Sequence, residues 1–194
     1  MTTSRISKII YSTILGTCLL TASNASLAKT KEPITFRGIS LGKKDARAEL
    51  RNLCLSDKRN KEFSHSCDFN SNKNSIWVDY GNLPYPIAWI TTSETGALEE
   101  VEIMADTAPL LELAHILEEK YGPAKKTSNT IKNRLGQNFD QKKFVWTDHL
   151  GNQIEILSIF YKIDSGLVTI KSASHIKKRE KTERLTRDIN KSRL

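Results

Sequence analysis

The chain has 194 residues, of which 30 are basic and 22 acidic, with a net charge of +8 and 38% hydrophobic residues. This length and composition predict one compact unit that can bury a core. The positive excess lies at one end, because 9 basic and only 3 acidic residues occur from Lys171 onward. A nucleic-acid-binding domain would carry its charge on a folded face, so this distribution argues against nucleic acid as a partner.

Residues 1–28 have the order of a secretory signal peptide. "MTTSRISK" is basic, "IIYSTILGTCLL" is a short apolar run, and "TASNASLA" ends in small residues. Cleavage is predicted after Ala28 or, alternatively, after Ala25. The alternatives are an uncleaved membrane anchor and a lipoprotein at Cys18. The apolar run is shorter than the roughly 20 residues that span a bilayer, which argues against the anchor. The protein is therefore predicted to be periplasmic or secreted.

Two cysteines, Cys54 and Cys67, remain once the signal peptide is removed. Thiols tend to pair in an oxidising compartment, so the sequence predicts one structural disulfide. Closing a loop of this length stabilises a fold by about 3 kcal/mol in the chain-entropy description. A zinc site would need more ligands than these two cysteines and His65 offer.

The first half of the predicted domain has the pattern of one helix followed by three strands. Apolar residues recur at helical spacing in "LGKKDARAELRNLC", and Asp45 is expected in the first turn, where a carboxylate complements the helix dipole. The runs "SIWVDYG", "IAWITTS" and "ALEEVEIMA" are typical of strands. Because Val101 and Ile103 alternate with Glu100 and Glu102, one sheet face is expected to be buried and the other wet.

The second half begins with a helix in "DTAPLLELAHILEEKYGPA", with Asp106 or Thr107 as its N-terminal cap. "KKTSNTIKNRLGQN" is then expected to be a polar, basic connector. Three further β-like runs follow, "KKFVWTDH", "NQIEILSIFY" and "GLVTIKSAS". The buried stripe of this helix is predicted to be Leu110, Leu113, Ala114, Leu117 and Tyr121.

These elements predict an α+β fold in which antiparallel strands carry two helices on one face. Residues 29–174 are expected to form a single domain, and residues 175–194 a basic, largely solvated tail. The order of elements is also compatible with a tandem α-β-β-β repeat over residues 40–105 and 106–174.

Two short motifs, "FRGISLG" (Phe36 to Gly42) and "KYGP" (Lys120 to Pro123), stand before the first helix and at the end of the second. In these letters the chain resembles the α/β modules of bacterial beta-lactamase inhibitor proteins and small outer-membrane-assembly lipoproteins. A disulfide from the first helix to the following strand is also similar to the inhibitor. The resemblance implies a protein that binds another protein through an exposed sheet instead of catalysing a reaction.

Aromatic residues cluster around "GNLPYP", a proline-rich turn. Exposed aromatic side chains on such a turn can recognise a protein or a glycan, so Tyr80, Tyr85 and Trp89 are candidate partner-binding residues. The alternative, which we favour for the tryptophans, is that Trp77 and Trp89 point inward and fill the core.

The tail offers a second candidate surface. An anionic lipid or lipopolysaccharide phosphate would attract its basic side chains, although the simpler interpretation is a solubilising tail. Glutamate and arginine residues four positions apart favour a solvated helix here. The candidate contacts are Lys177, Lys178, Arg179, Arg184 and Arg187.

No catalytic or phosphate-binding motif is present in the sequence, and its histidines lack metal-ligand spacing. We therefore predict an exported, non-enzymatic protein-binding or envelope-associated module that needs no cofactor or metal. Its predicted partner is a protein of the envelope. The alternative is an exported hydrolase acting on an envelope polymer, with Glu99, Glu102 or His149 as acid or base.

Overall fold

The structure is a computed structural model that describes residues 29–30, 32–61, 67–69, 71–78 and 87–191. The predicted signal peptide and the candidate residues Tyr80 and Tyr85 lie outside the described residues.

The described part of the chain contains groups of strands separated by helices. The helices are α1 (Arg47–Ser56), α2 (Lys58–Lys61), α3 (Thr107–Tyr121) and α4 (Ala173–Lys191). The strands are β1 (Lys29–Thr30), β2 (Thr35–Phe36), β3 (Ile39–Ser40), β4 (Lys73–Trp77), β5 (Ile87–Thr92), β6 (Leu98–Asp106), β7 (Lys125–Lys132), β8 (Asn138–Asp148), β9 (Gln153–Leu157) and β10 (Ser165–Lys171). The predicted α+β class is confirmed.

The strands form one large sheet and one small hairpin. The large sheet runs in the order β8-β9-β10-β6-β5-β4, and all of these neighbours are antiparallel. Both β7 and β1 pair with the other edge of β8, β7 in antiparallel and β1 in parallel orientation. The hairpin of β2 and β3 forms the second, two-stranded sheet.

The core lies against the sheet face that carries Val101 and Ile103, as the alternation predicts. Val101 pairs with Ile90 on β5 and with Ile170 on β10, and all three side chains are buried. Helix α3 contacts β6 and β10, and the buried side chains Leu50 and Cys54 of α1 belong to the same core cluster.

The predicted disulfide between Cys54 and Cys67 is present, with both residues fully buried and their Cα atoms 5.6 Å apart. Next to it, buried Asn60 donates from Nδ2 to the carbonyl oxygens of Cys54 and Trp77 and accepts from the Trp77 amide at 2.9 Å. The Asn60 side chain thus joins the end of α1 to β4, while the disulfide joins α1 to Cys67, which precedes β4. Asp45 was expected inside the helix but precedes it, in the left-handed region at φ 52°.

Helix α3 matches the prediction in its extent and its buried side. Leu110, Ala114 and Tyr121 are buried, and the other two stripe residues are half-buried. Asp106, one of the two predicted caps, is the N-cap residue, but its side chain makes no capping hydrogen bond, and the Thr107 hydroxyl donates to the Ser158 carbonyl.

The prediction of a polar connector after α3 is wrong. Residues 125–132 form β7, which pairs with β8 along its whole length. Four strands thus follow α3, whereas three follow the helices of the first half. Almost every β7 side chain is exposed, so the strand carries no alternation of apolar and polar residues that a sequence pattern could detect.

Three hairpins of the sheet share one turn. In the segments 93–97, 133–137 and 148–152, the first residue's amide donates to the fifth residue's carbonyl, and the fourth residue is a glycine with positive φ. In each turn the side chain of the first residue also accepts from the fifth residue's amide. This pattern is a type I turn followed by a left-handed bulge residue.

Candidate binding surfaces

An apolar patch covers one end of the sheet, where the β7–β8 turn lies beside the loop from β9 to β10. Its centre is an open groove of 740 Å³. We call this surface the tip patch; its apolar members are Ile131, Leu135, Phe139, Ile159, Phe160, Tyr161 and Ile163.

The β7–β8 turn holds Leu135 in the solvent. The Asn133 side chain accepts from the amides of Leu135 and Gln137 through Oδ1, at 3.0 and 2.9 Å, and donates from Nδ2 to the Gln137 side chain. These bonds fix the turn, and Leu135 at its apex is 85% exposed. A turn apex normally favours small or polar residues, so a leucine here is not explained by local structure.

The loop from β9 to β10 exposes Tyr161 to solvent through backbone hydrogen bonds. Phe160 donates its amide to Ser165 at 2.6 Å and accepts from the Lys162 amide at 2.7 Å, so Tyr161 lies at the apex of a tight turn. Its φ is 64°, a region that bulky residues rarely adopt, and its residue surface is 87% exposed. The loop is joined to β8 because the Gln141 side chain donates to the Ile159 carbonyl at 2.7 Å.

The charged residues that line the groove of the tip patch are all positive. They are Lys132, Arg134 and Lys162, whereas the nearest acidic residues along the chain, Asp140 and Asp164, do not line the groove. Within the described ranges, no carboxylate oxygen lies within 4.0 Å of the charged nitrogens of these three residues. Their charges are therefore available to an anionic ligand.

Trp89 lies on the wet face of the sheet, not in the core. It pairs with Ser75 on β4 and Glu102 on β6 and is 41% exposed, so the favoured interpretation of Trp89 as a core residue is wrong. The tryptophan that fills the core is Trp146, which donates from its indole to the Gly122 carbonyl. Trp89 borders a groove of 530 Å³ that α4 closes on one side through His175.

His175 is held between two carboxylates, although the sequence placed it in a solvated tail. Its Nδ1 lies 3.5 Å from Glu99 and its Nε2 3.5 Å from Glu100, and the histidine side chain is only 13% exposed. A β-bulge explains this geometry: Thr91 pairs with Glu100 and Thr92 with Leu98, so Glu99 is an extra residue in β6. The bulge brings two consecutive carboxylates to one imidazole.

Glu100 also pairs with cations from two elements. Its Oε1 lies 3.6 Å from Arg179 of α4 and 4.0 Å from Lys171 of β10. These distances are longer than hydrogen bonds, and Oε1 of Glu100 and Nδ1 of His175 are buried with no hydrogen-bond partner among the described residues. The cluster attaches the first turns of α4 to the sheet.

The three residues of the hydrolase hypothesis have different surroundings. Glu99 contacts His175, and Glu102 borders the groove beside Trp89. His149 lies in the turn between β8 and β9.

The basic tail forms helix α4, which is partly buried at His175 and Ile176 and exposed from Lys177 onward. Arg179 pairs with Glu100 and with Glu183. No helix in the described part of the chain has the length and apolar character needed to cross a membrane. The other candidate contacts of the tail, Lys177, Lys178, Arg184 and Arg187, are exposed along α4.

Sequence reasoning missed the tip patch. One signal was present: "NRLGQN" places a leucine at the apex of a turn marked by asparagine and glycine. The contribution of the second loop to the same surface depends on strand pairing and has no local signal.

Among the residues that the structure describes, no group of three or more histidine, cysteine, aspartate and glutamate side chains is placed to hold a metal ion. No known protein family matches the chain. No curated protein and no solved structure matches it either.

Proposed function

We propose that the protein is an exported, non-enzymatic binding module of the bacterial envelope, and that the tip patch is its contact surface. The observation that carries the proposal is the exposure of Leu135 and Tyr161 at two adjacent apices. A contiguous apolar surface rimmed by polar residues marks a site of interaction with a protein or a membrane.

The rigidity of the patch supports a binding role. The Asn133 side chain fixes one apex and the bonds between Phe160 and Ser165 fix the other. Because both backbones are already ordered, a partner would not have to restrict them on binding, which lowers the entropic cost of association.

Export is supported by the order of residues 1–28 and by the disulfide of Cys54 and Cys67, since disulfides persist in oxidising compartments. The resemblance to inhibitor and outer-membrane-assembly modules implies binding as well.

Site-specific photo-crosslinking in intact cells tests this function. A photoreactive amino acid replaces Leu135 in one variant and Leu150, the matched leucine of the β8–β9 turn, in the other. We expect adducts from position 135 with an envelope component, and at least about fivefold fewer from position 150, because only position 135 lies in an apolar patch. Equal yields at both positions, or none at position 135, would contradict the proposal.

A second candidate function is an electrostatic tether through α4. From Ala173 to Lys191 the helix carries seven basic and three acidic residues. Such a segment is attracted to an anionic surface by about 1 kcal/mol per basic residue near that surface. The charge-reduced α4 variant in the next section tests this candidate.

A further inference from the structure

We infer that the ligand of the tip patch is the surface of a bilayer rich in anionic phospholipid. This inference rests on the proposed function and names its partner. Leu135 and Tyr161 would enter the interfacial layer, and Lys132, Arg134 and Lys162 would contact lipid phosphates.

The first step is the shape of the surface. Leu135 and Tyr161 are the most exposed of the large apolar residues described, and each occupies the apex of its own turn. Two apices side by side project from the end of a sheet and can enter a soft, laterally continuous phase together.

The second step is the chemical character of the side chains. The patch combines leucine and isoleucine with Phe160 and Tyr161. Aromatic rings with a polar atom prefer the headgroup level of a membrane, and aliphatic side chains gain free energy from leaving water. A tyrosine beside aliphatic residues suits the boundary between headgroups and acyl chains.

The third step is the charge. The three cations that line the groove have no carboxylate partner among the described residues, whereas Lys126 and Lys143 of the same hairpin pair with Glu118 and Glu155. Lys125 and Lys142 of this hairpin have no described carboxylate partner either, so what distinguishes the three tip cations is that they surround exposed apolar side chains. This combination complements an anionic headgroup layer over an apolar interior.

Vesicle flotation with the mature full chain tests the inference. The probes are vesicles of phosphatidylcholine alone and vesicles containing about one third phosphatidylglycerol, at low and physiological salt. We expect binding to the anionic vesicles that weakens as salt rises, and little binding to phosphatidylcholine alone.

Variants of the tip define the contact. Leu135→Ser and Tyr161→Ser are each expected to weaken binding about tenfold, because each removes an apolar side chain from the interface. Leu135→Phe should bind at least as well as the original chain. Replacing Lys132, Arg134 and Lys162 with glutamine should weaken binding about 100-fold, at about fivefold per cation.

Two matched control variants distinguish vesicle binding by the tip patch from binding by other exposed leucines or cations. Leu150→Ser removes the equivalent leucine of the other exposed turn and should change binding less than about twofold. Replacing Lys177, Lys178 and Arg184 with glutamine removes the same number of charges from α4 and should change it less than about threefold. A loss in the α4 variant with none in the tip variants would overturn the inference and support the tether.

The crosslinking result distinguishes failure of this inference from failure of the proposed function. If the chain binds neither kind of vesicle while position 135 crosslinks to a protein, the lipid assignment is wrong and the proposed contact surface remains. If vesicles are not bound and position 135 yields no adduct, both proposals are overturned.

Discussion

Two turns of the sheet have nearly the same covalent and hydrogen-bonded structure but different surroundings. The turns at 133–137 and 148–152 both begin with Asn or Asp, carry leucine third and glycine fourth, and have matching backbone hydrogen bonds. Leu135 is 85% exposed and Leu150 is 60% exposed. Because the turns themselves match, the residues packed around each turn account for this difference in exposure.

The surroundings differ because the second carboxylate oxygen of Asp148 accepts hydrogen bonds from other parts of the structure. Its Oδ2 accepts from the Ile34 amide at 2.8 Å and from the Asn152 side chain at 2.9 Å, and Asn152 in turn accepts from the Ala173 amide at the start of α4. The turn is thus fixed to the N-terminal segment and to the tail helix. Among the described residues, the turn of Asn133 makes hydrogen bonds only within itself, and it lies beside the apolar loop.

The largest expected effect comes from removing the first side chain of each turn. Asp148→Ala should lower the free energy of unfolding by about 3 to 5 kcal/mol, since it leaves several buried donors without an acceptor. Asn133→Ala should cost about 1 kcal/mol, because water replaces the lost bonds. Urea unfolding followed by tryptophan fluorescence measures both free energies of unfolding. Losses of equal size would show that the contacts of Asp148 outside its own turn contribute nothing to stability.

The glycines of the two turns should behave alike. Gly136 and Gly151 have φ values of 81° and 88°, and an added Cβ would meet nothing within 4 Å at the first and the Ala173 Cβ at 3.4 Å at the second. Gly136→Ala and Gly151→Ala should each cost about 1 to 2 kcal/mol, because the strain is that of a left-handed backbone. Thermal unfolding of the pair tests this, and a cost several times larger at Gly151 would show that packing against α4 dominates there.

The smallest expected effect concerns the ion pair between Lys126 of β7 and Glu118 of α3. A hydrogen bond from Lys126, together with the nearby Ala124 amide, lowers the pKa of Glu118 from its ordinary value of 4.5, although partial burial opposes the shift. A carboxylate with a lowered pKa stabilises the fold above the unfolded pKa, and this contribution is lost as the pH falls through the folded pKa.

Glu118→Gln should therefore cost less than about 1 kcal/mol near pH 7, since the pair is partly exposed, and progressively less as the pH is lowered towards 3. Urea unfolding at the two pH values measures the difference. Glu119→Gln, one residue along the same helix and exposed, is the control and should show no such difference. A cost that persists at the lower pH would mean that packing, not charge, accounts for the effect.

Local patterns predicted much of the fold. The extents of α3, β5 and β6 and the presence of α1 follow from hydrophobic periodicity, and the disulfide follows from the cysteine count and the predicted compartment. Strand β7 was missed because its side chains are solvated, so only its hydrogen bonds to β8 define it. Trp89 was assigned to the core because an aromatic residue in a strand gives no indication of which face it occupies.

The binding surfaces were less predictable. Charge counting identified the basic tail but not the attachment of His175 to Glu99 and Glu100, which requires a β-bulge. Nor did any local pattern join Leu135 to Tyr161, which are 26 positions apart in the chain.

The sequence by itself determined the α+β class and the apolar stripes, because hydrophobic periodicity acts over a few residues. Only the tertiary structure decided which cations lack a carboxylate partner and which apolar side chains share a surface. Both depend on distances between residues far apart in the chain, and strand pairing, not local preference, sets those distances.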